Sequence, residues 1–311
     1  MAKNSVAIII CTYNGENFLT HQLESLKNQT YKSFDLFISD DGSDDNTIDV
    51  IHSFIKKNSH INIHLLNGPK KGFAKNFISS LTLVSNFSEN GYKYYAFCDQ
   101  DDVWDKNKVE KGIKILEKYS KEIPCLYCSR TRYVNSDGII IGKSPLFRRL
   151  PSFNNAMVQS IAGGNTMIFN STLSKEICKL DLSEKIISHD WISYIITTAL
   201  DGMVYYDELP RISYRQHNKN IIGSNNSFNQ IFKRYKSMMA GDYGNWINAN
   251  IKQLENLNLG DDKVEYIESF KQISSNSIYV RIRSLIKTKI YRQTLIGNLS
   301  LIVAVLLNKF K

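Results

Sequence analysis

The chain has 311 residues, 42% hydrophobic and 22% charged, which is typical of a globular protein and excludes a disordered one. Its net charge of +9 is uneven, because residues 271–311 hold eight basic and no acidic residues, and subtracting those eight leaves +1 for the rest. The basic character therefore belongs to the C-terminal tail, and a nucleic-acid-binding surface over the whole protein is not expected.

The first 120 residues alternate between strand and helix patterns. Apolar runs predict strands at residues 6–11, 34–39, 61–66 and 94–98. Apolar residues at helical spacing follow each run and predict helices at residues 18–29, 47–57, 73–84 and from 105 onward. This alternation predicts an α/β fold with a doubly wound, mainly parallel sheet.

The pattern becomes less regular after residue 120. Residues 126–134 and 139–141 flank turn residues and predict a β-hairpin. A strand at 163–169, a helix from His189 to about Leu200 and short strands at 203–206 and 212–216 follow, and helical periodicity dominates from residue 227. We therefore expect an α/β domain over residues 1–225, with its two halves meeting near residue 120, and a helical C-terminal region over residues 226–311.

The five cysteines do not indicate a metal or disulfide framework. Cys125 and Cys128 have C-x-x-C spacing, but no second pair and no nearby histidine completes a zinc site, so a strand is favoured there. The apolar run at residues 6–11 is too short for the core of a signal peptide, so we expect a cytoplasmic protein with reduced thiols.

A cluster of carboxylates follows the strand at residues 94–98. Open α/β sheets bind ligands at the carboxyl ends of their strands. Asp99 and Asp101 are two residues apart, so in extended backbone they point the same way. Their oxygens suit Mg²⁺ or Mn²⁺, with further ligands from substrate phosphates. The alternative is a polar loop that caps the next helix, which is the role we expect for Asp102.

Nucleotide binding has no glycine-rich signature, since neither G-x-G-x-x-G nor a P-loop is present. The first two predicted strands instead end near Thr12 and Asp41. A carboxylate at a strand end can accept hydrogen bonds from a ribose or a base. Each residue taken singly is equally consistent with a turn.

The order and spacing of five motifs make the chain resemble the family 2 glycosyltransferases of the GT-A fold, over residues 4–225. The motifs are Cys-Thr-Tyr-Asn-Gly at 11–15, Asp-Asp-Gly-Ser at 40–43, Asp-Gln-Asp at 99–101, His-Asp-Trp at 189–191 and Tyr-Arg-Gln-His at 214–217. Their variants are most similar to bacterial rhamnosyltransferases, which build rhamnose-containing polysaccharides from dTDP-rhamnose.

The resemblance implies donor-side roles. Thr12 and Asp41 would hold the base and ribose, Asp101 would bind the metal directly, and Asp99 would contact the ribose and the metal site. Lys75 would lie near the donor, although a solvated helix face is the alternative. Arg215 would meet the diphosphate, and His217 would be a third metal ligand through its neutral imidazole.

Acceptor-side roles follow from the same resemblance. Asp190 would be the general base that accepts the proton of the attacking hydroxyl, although a carboxylate favoured by the helix dipole is the alternative. Trp191 would line the acceptor pocket or belong to the core. Gly163 and Gly164 would let the backbone approach the acceptor closely. Base-assisted direct displacement would invert the anomeric centre.

The tail at residues 277–311 combines basic residues with apolar ones. Its apolar stretch at 295–307 is shorter than the roughly 20 residues that a membrane span needs. A basic amphipathic helix predicts binding to an anionic membrane surface, and packing against the catalytic domain is the alternative. We expect a peripheral enzyme on the inner face of the cell membrane, with a saccharide or lipid-linked saccharide acceptor.

Other functions remain open at the level of sequence. A nucleotidyltransferase would also use metal-binding carboxylates, but the loop at residues 12–15 is not the glycine-rich, basic loop that a triphosphate requires. A membrane scaffold without activity is disfavoured because every motif acid is present. A UDP-sugar donor is the alternative to dTDP-rhamnose.

Overall fold

The computed structural model describes residues 5–87, 91–216 and 242–311, and it confirms the alternation of strands and helices at the start of the chain. The strands are β1 (Val6–Thr12), β2 (Phe34–Asp40), β3 (Ile63–Asn67), β4 (Tyr94–Asp99) and the short β5 (Val103–Trp104). The helices are α1 (Leu19–Lys27), α2 (Thr47–Lys57), α3 (Phe73–Asn86) and α4 (Lys108–Leu116).

The later part of the chain holds smaller elements and then helices. The strands are β6 (Cys125–Ser129), β7 (Arg132–Val134), β8 (Ile140–Lys143), β9 (Ile168–Asn170), β10 (Met203–Asp207) and β11 (Ile212–Arg215). The helices are α5 (Phe153–Ala156), α6 (Ser171–Ile177), α7 (His189–Ala199), α8 (Asp242–Leu254), α9 (Asp261–Lys271), α10 (Ile278–Thr288) and α11 (Leu295–Leu306). The C-x-x-C pair lies in β6, and all five cysteines are free.

The main sheet has seven strands in the order β10-β6-β9-β4-β1-β2-β3. β1 pairs in parallel with β2 and β4, so the predicted mainly parallel sheet is confirmed. β9 runs antiparallel to both β4 and β6. Every residue of β1 and β2 is buried, because helices cover both faces of the sheet.

A second sheet of four strands, in the order β5-β11-β7-β8, lies beside the acidic motif. Its antiparallel β7–β8 pair is the predicted hairpin. β11 pairs with β5, which starts directly after Asp102, and Arg215 is the last residue of β11. This small sheet therefore brings the Tyr-Arg-Gln motif to the acidic motif.

The C-terminal helices share one hydrophobic core with the catalytic part. Ile247, Leu301, Val305 and Phe310 are buried in the same cluster as Trp191 and residues of α3 and β4. The packed alternative for the tail is therefore confirmed for one of its faces. The predicted boundary between residues 225 and 226 falls outside the described residues. In the part of the chain that the structure covers, no helix has the length and apolar character required to span a membrane.

Candidate functional site

The predicted site residues of the first half meet at one edge of the main sheet. In the β1–β2 register Thr12 lies opposite Asp40, and in the β1–β4 register Cys11 lies opposite Asp99. The carboxyl ends of three parallel neighbours therefore place Thr12, the Asp40–Asp41 turn and Asp99 side by side, which is the position at which open α/β sheets bind ligands.

The hydroxyl of Thr12 holds the turn after β2. Its Oγ1 donates to Asp40 Oδ1 at 2.8 Å, and Asp40 also accepts from the backbone amides of Gly42 and Ser43. Thr12 is buried. Its contact with the donor remains a prediction, and its visible role is to shape the loop beside the site.

Asp41 fastens the loop that leads from β3 to α3. Its two carboxylate oxygens accept from the backbone amides of Lys70 at 2.6 Å and Gly72 at 2.9 Å. A Cβ added at Gly68 would lie 2.8 Å from Asp41 Cα, so this close approach requires glycine. In α3, Lys75 Nζ donates to the carbonyl of Leu182 at 2.8 Å. The donor contacts predicted for Asp41 and Lys75 stay predictions.

Three acidic residues from two distant parts of the chain form the electrostatic centre of the site. Burial and, after it, the negative charges of Asp101 and Asp190 together raise the pKa of Asp99 to about 8, although the nearby Lys108 acts in the opposite direction. Asp190 begins the first turn of α7, some ninety residues from Asp99 in sequence, so only the fold brings these charges together.

Asp102 does not cap the next helix, so that expectation is wrong. It is fully buried and accepts from Asn165 Nδ2 and, at 3.3 Å, from the backbone amide of Arg215. Burial and the neighbouring acids raise its pKa well above the usual range. The reason is that β5 intervenes between the motif and α4, which starts only at Lys108.

Lys108 is a buried cation behind the acidic cluster. Its Nζ lies 3.2 Å from the centroid of the Trp104 ring, and among the described residues it has no hydrogen-bond partner. Burial lowers its pKa to about 7, against the opposing effects of Cys98, Asp102 and Asp99. Sequence analysis missed this residue because a lysine at the start of a helix ordinarily points into solvent.

Arg215 holds backbone around the acidic motif. Its Nε donates to the carbonyl of Asp101 at 3.2 Å, and its Nη1 donates to the carbonyl of Ser136 at 2.5 Å. The side chain is buried, and the guanidinium carbon lies 4.9 Å from the Phe18 ring centroid. Its contact with a diphosphate stays a prediction. His217, the predicted third metal ligand, lies outside the described residues.

The start of α7 presents Asp190 and buries His189. Ser188 is the N-cap, and Asp190 Oδ1 accepts from the amide of Trp191 at 2.6 Å. His189 stacks on Phe77 with ring centroids 3.9 Å apart and meets Phe97 edge-on at 4.9 Å. Neither of its ring nitrogens has a hydrogen-bond partner within the described part of the chain, and burial lowers its pKa to about 4.

The two glycines and the tryptophan of the predicted acceptor side pack against protein. A Cβ added at Gly164 would lie 2.0 Å from His189 Nε2, and one at Gly163 would lie 2.8 Å from Asn165 Oδ1. Trp191 is buried, its Nε1 donates to the carbonyl of Ala156 at 2.7 Å, and it stacks on Tyr243. This burial favours the core alternative for Trp191, and its contact with an acceptor stays a prediction. Acceptor contacts at the two glycines remain predictions.

A mainly parallel sheet with acids from separate elements gathered at its carboxyl edge defines an α/β protein with an acidic ligand site. The family model for glycosyl transferase family 2 matches residues 7–176. The chain is 30% identical over 236 residues to the dTDP-rhamnosyl transferase RfbG of Shigella flexneri, which covers 72% of this chain and 77% of that relative.

Two further likenesses concern a shorter stretch and the fold. The chain is 31% identical over 149 residues, 48% of its length and 53% of the relative, to the UDP-Glc:alpha-D-GlcNAc-diphosphoundecaprenol beta-1,3-glucosyltransferase WfaP of Escherichia coli. The crystal structure of S. aureus TarS 1-349 in complex with UDP superposes with a TM-score of 0.58 at 15% identity, covering 98% of this chain and 89% of that one. The chain therefore belongs to glycosyl transferase family 2 and has the GT-A fold.

Proposed function

We propose that this glycosyltransferase is an inverting, metal-dependent enzyme that moves L-rhamnose from dTDP-L-rhamnose to a hydroxyl of a lipid-linked saccharide during synthesis of a cell-surface polysaccharide. The observation that supports the proposal is that Asp101 and Asp190, a proposed metal ligand and the proposed general base, lie close enough to Asp99 for their charges to raise its pKa.

The residues present fit a divalent cation. Burial and, after it, the charges of Asp101 and Asp190 raise the pKa of Asp99, and an adjacent Mg²⁺ or Mn²⁺ would relieve the repulsion between these carboxylates. Within the described residues no three histidine, cysteine or acidic side chains group to hold a metal, so phosphate oxygens and His217 are the further ligands that we propose. When bound, the cation would neutralise charge on the leaving diphosphate as a Lewis acid.

The chain's own residues supply the remaining chemistry. Asp190 accepts the proton of the acceptor hydroxyl as that oxygen attacks the anomeric carbon. Thr12, Asp41, Lys75 and Arg215 orient the donor from the strand ends and the adjoining loops. Direct displacement inverts the anomeric centre, so a β-linked donor yields an α-linked product.

The choice of donor is supported by likeness to RfbG, which is a dTDP-rhamnosyl transferase. WfaP, whose donor is UDP-Glc, keeps a UDP-sugar as the second candidate donor. The acceptor of WfaP is a diphosphoundecaprenol-linked sugar, which supports a lipid-linked acceptor here.

Membrane association is supported by the outer face of the tail. In α11 the side chains of Leu295, Ile296 and Leu299 are 84%, 79% and 65% exposed, while the opposite face is in the core. Arg281 is buried and Lys271 and Lys287 pair with glutamates, which leaves five of the eight basic residues of the 271–311 segment for an anionic surface. We therefore propose that this enzyme lies on the inner face of the cell membrane.

A donor panel tests the function. Thermal shift and transfer assays with dTDP-L-rhamnose and UDP-glucose, each with Mn²⁺, should show stabilisation and turnover with dTDP-L-rhamnose, because a ligand that binds the folded state raises its stability. Asp101→Ala should abolish transfer and metal-dependent nucleotide binding, and Asp49→Ala, an exposed acid on α2, should behave as wild type. Stabilisation by UDP-glucose alone would overturn the donor, and unchanged Mn²⁺-dependent dTDP binding by Asp101→Ala would overturn the metal site.

A further inference from the structure

The middle residue of the acidic motif makes a two-point contact with the first loop of the chain. The backbone amide of Tyr13 donates to Gln100 Oε1 at 2.9 Å, and Gln100 Nε2 donates to the carbonyl of Tyr13 at 2.9 Å. The side-chain amide of Gln100 thereby bonds both the N–H and the C=O of Tyr13, as the backbone of a neighbouring strand would. It joins the loop after β1 to the loop after β4, beyond the last paired residues of these strands.

The contact between Gln100 and Tyr13 requires a glycine at position 15. A Cβ added there would lie 2.3 Å from Gln100 Oε1 and 2.7 Å from Gln100 Cδ, and its three nearest atoms would all belong to the Gln100 side chain. The obstacle to a larger residue at position 15 is therefore one side chain. Shortening Gln100 would remove that obstacle.

The other side of the same loop is held by the segment after β2. The amide of Asn14 donates to Ser43 Oγ at 2.9 Å, and the amide of Gly15 donates to Thr47 Oγ1 at 2.8 Å. Residues 13–15 are thus fixed between the β2 loop and Gln100. The Tyr13 side chain is 58% exposed, so it is the backbone that this arrangement holds.

We propose that Gln100 is a positioning residue for the nucleotide-sugar, which sets the loop at residues 13–15 against the carboxylates of Asp99 and Asp101. This inference rests on the proposed function, because one donor must contact both the β1–β2 edge and the acidic motif. Gln100 is uncharged and lies between the two proposed metal ligands without supplying a proton or a charge to the reaction. We therefore expect Gln100 to affect the binding of the donor, measured by KM, rather than the breaking of the bond, measured by kcat.

The test is a double-mutant cycle of Gln100→Ala and Gly15→Ala, read in donor KM, kcat and thermal stability. Gln100→Ala removes two hydrogen bonds and should raise the KM for dTDP-L-rhamnose about tenfold with kcat within about threefold. Gly15→Ala should be more harmful, because its Cβ displaces Gln100. The double variant should be no worse than Gln100→Ala. Gln272→Ala, an exposed glutamine after α9, serves as the control and should match wild type.

Four results would overturn the inference. An unchanged KM in Gln100→Ala would show that the contact does not position the donor. A loss in kcat alone would assign the residue to the chemical step. Additive losses of stability in the cycle would contradict the contact itself, whichever donor the enzyme uses. Failure of the wild-type protein to bind either dTDP-L-rhamnose or UDP-glucose would overturn the proposed function together with the donor role, and the stability cycle distinguishes that failure from an absent contact.

Discussion

Asp190 reaches the acidic motif because α7 begins beside the carboxyl end of β4. Its carboxylate is half-buried and accepts only the amide of Trp191 among the hydrogen bonds found in the described residues. An oxygen with spare lone pairs at the edge of a site is available to a ligand hydroxyl. Both the general base and the dipole-stabilised carboxylate are compatible with this position, so mutation must distinguish them.

Asp190→Asn separates these two roles. The amide retains a carbonyl oxygen for the Trp191 amide, so the fold should persist, but it cannot accept a proton. We expect kcat to fall by roughly 10²–10⁴-fold with donor KM nearly unchanged. Steady-state kinetics with a saccharide acceptor measure this, with Asp49→Asn as control. A kcat within a few-fold of wild type would place the base elsewhere.

The burial of His189 makes the free energy of unfolding depend on pH. The unfolded chain binds a proton at the ordinary pKa of about 6.5, whereas the buried ring of the folded chain resists protonation until about pH 4. Between these values the unfolded state binds more protons, so folding stability falls as the pH falls from 6.5 towards 4. At pH 5 this linkage costs about 2 kcal/mol relative to pH 7.

His189→Leu should remove that part of the pH dependence. Leucine cannot titrate, and the ring nitrogens have no described hydrogen-bond partners to lose. Urea unfolding at pH 7 and pH 5 should therefore show a smaller difference in the variant than in wild type, by about 2 kcal/mol. An equal difference in the two proteins would mean that the pKa of His189 in the folded chain is close to its ordinary value.

At the scale of elements, Arg281 links the last two helices, α10 and α11, by hydrogen bonds. It is buried in α10, and its guanidinium donates to the carbonyls of Val305 and Leu306 at the end of α11, at 2.8 and 2.9 Å. It also donates to the carbonyls of Ser275 and Asn276. The last carbonyls of a helix have no partner within the helix, and this one side chain donates to two of them, while the Val305 carbonyl also accepts from the backbone amide of Asn308.

Arg281→Met should destabilise the fold by about 3 kcal/mol, because four hydrogen bonds from a buried, charged donor are lost. Arg283, two residues along the same helix, is exposed. Arg283→Met should therefore change the free energy of unfolding by no more than about 0.5 kcal/mol. Chemical denaturation of both variants gives the comparison, and equal effects would show that Arg281 does not tie α10 to α11.

At the scale of the whole molecule, one face of the tail packs in the core and the opposite face is exposed. Leu301, Ala304 and Val305 of α11 are in the core, while Leu295, Ile296 and Leu299 face outward. Deleting the tail would therefore expose the core as well as remove the proposed membrane contact. Substitutions on the outer face are the cleaner probe, because they leave the packed face intact.

The combined variant Leu295→Ser, Ile296→Ser and Leu299→Ser should lose binding to vesicles of anionic lipid while keeping its melting temperature and its hydrolysis of the donor. Each lost side chain removes apolar area that the headgroup boundary would bury. Leu209→Ser is the control, since Leu209 is 60% exposed on a different part of the surface. Flotation with vesicles measures the effect, and unchanged binding would contradict the proposed membrane surface.

The sequence by itself determined the local elements, the acidic motif and the family. Apolar runs such as that of β1 indicate a strand buried on both faces, and the amphipathic pattern of α2 indicates its helix, because these periodicities reflect which side chains leave water. The motifs at residues 99–101 and 189–191 are each contiguous in sequence, so their resemblance to those of glycosyltransferases can be recognised without knowledge of the fold.

Only the tertiary structure decided which residues share an environment. Asp102 is expected from the sequence to cap a helix but accepts a hydrogen bond from Asn165, and Arg281 belongs to a basic stretch expected at the surface but lies in the core. The antiparallel pairing of β9 with β4 is likewise a contact between residues far apart along the chain. The same is true of the hydrogen bond between Tyr13 and Gln100. Burial and hydrogen-bond partners are set by long-range packing, which satisfies polar groups wherever the chain brings them together, and local sequence does not encode that choice.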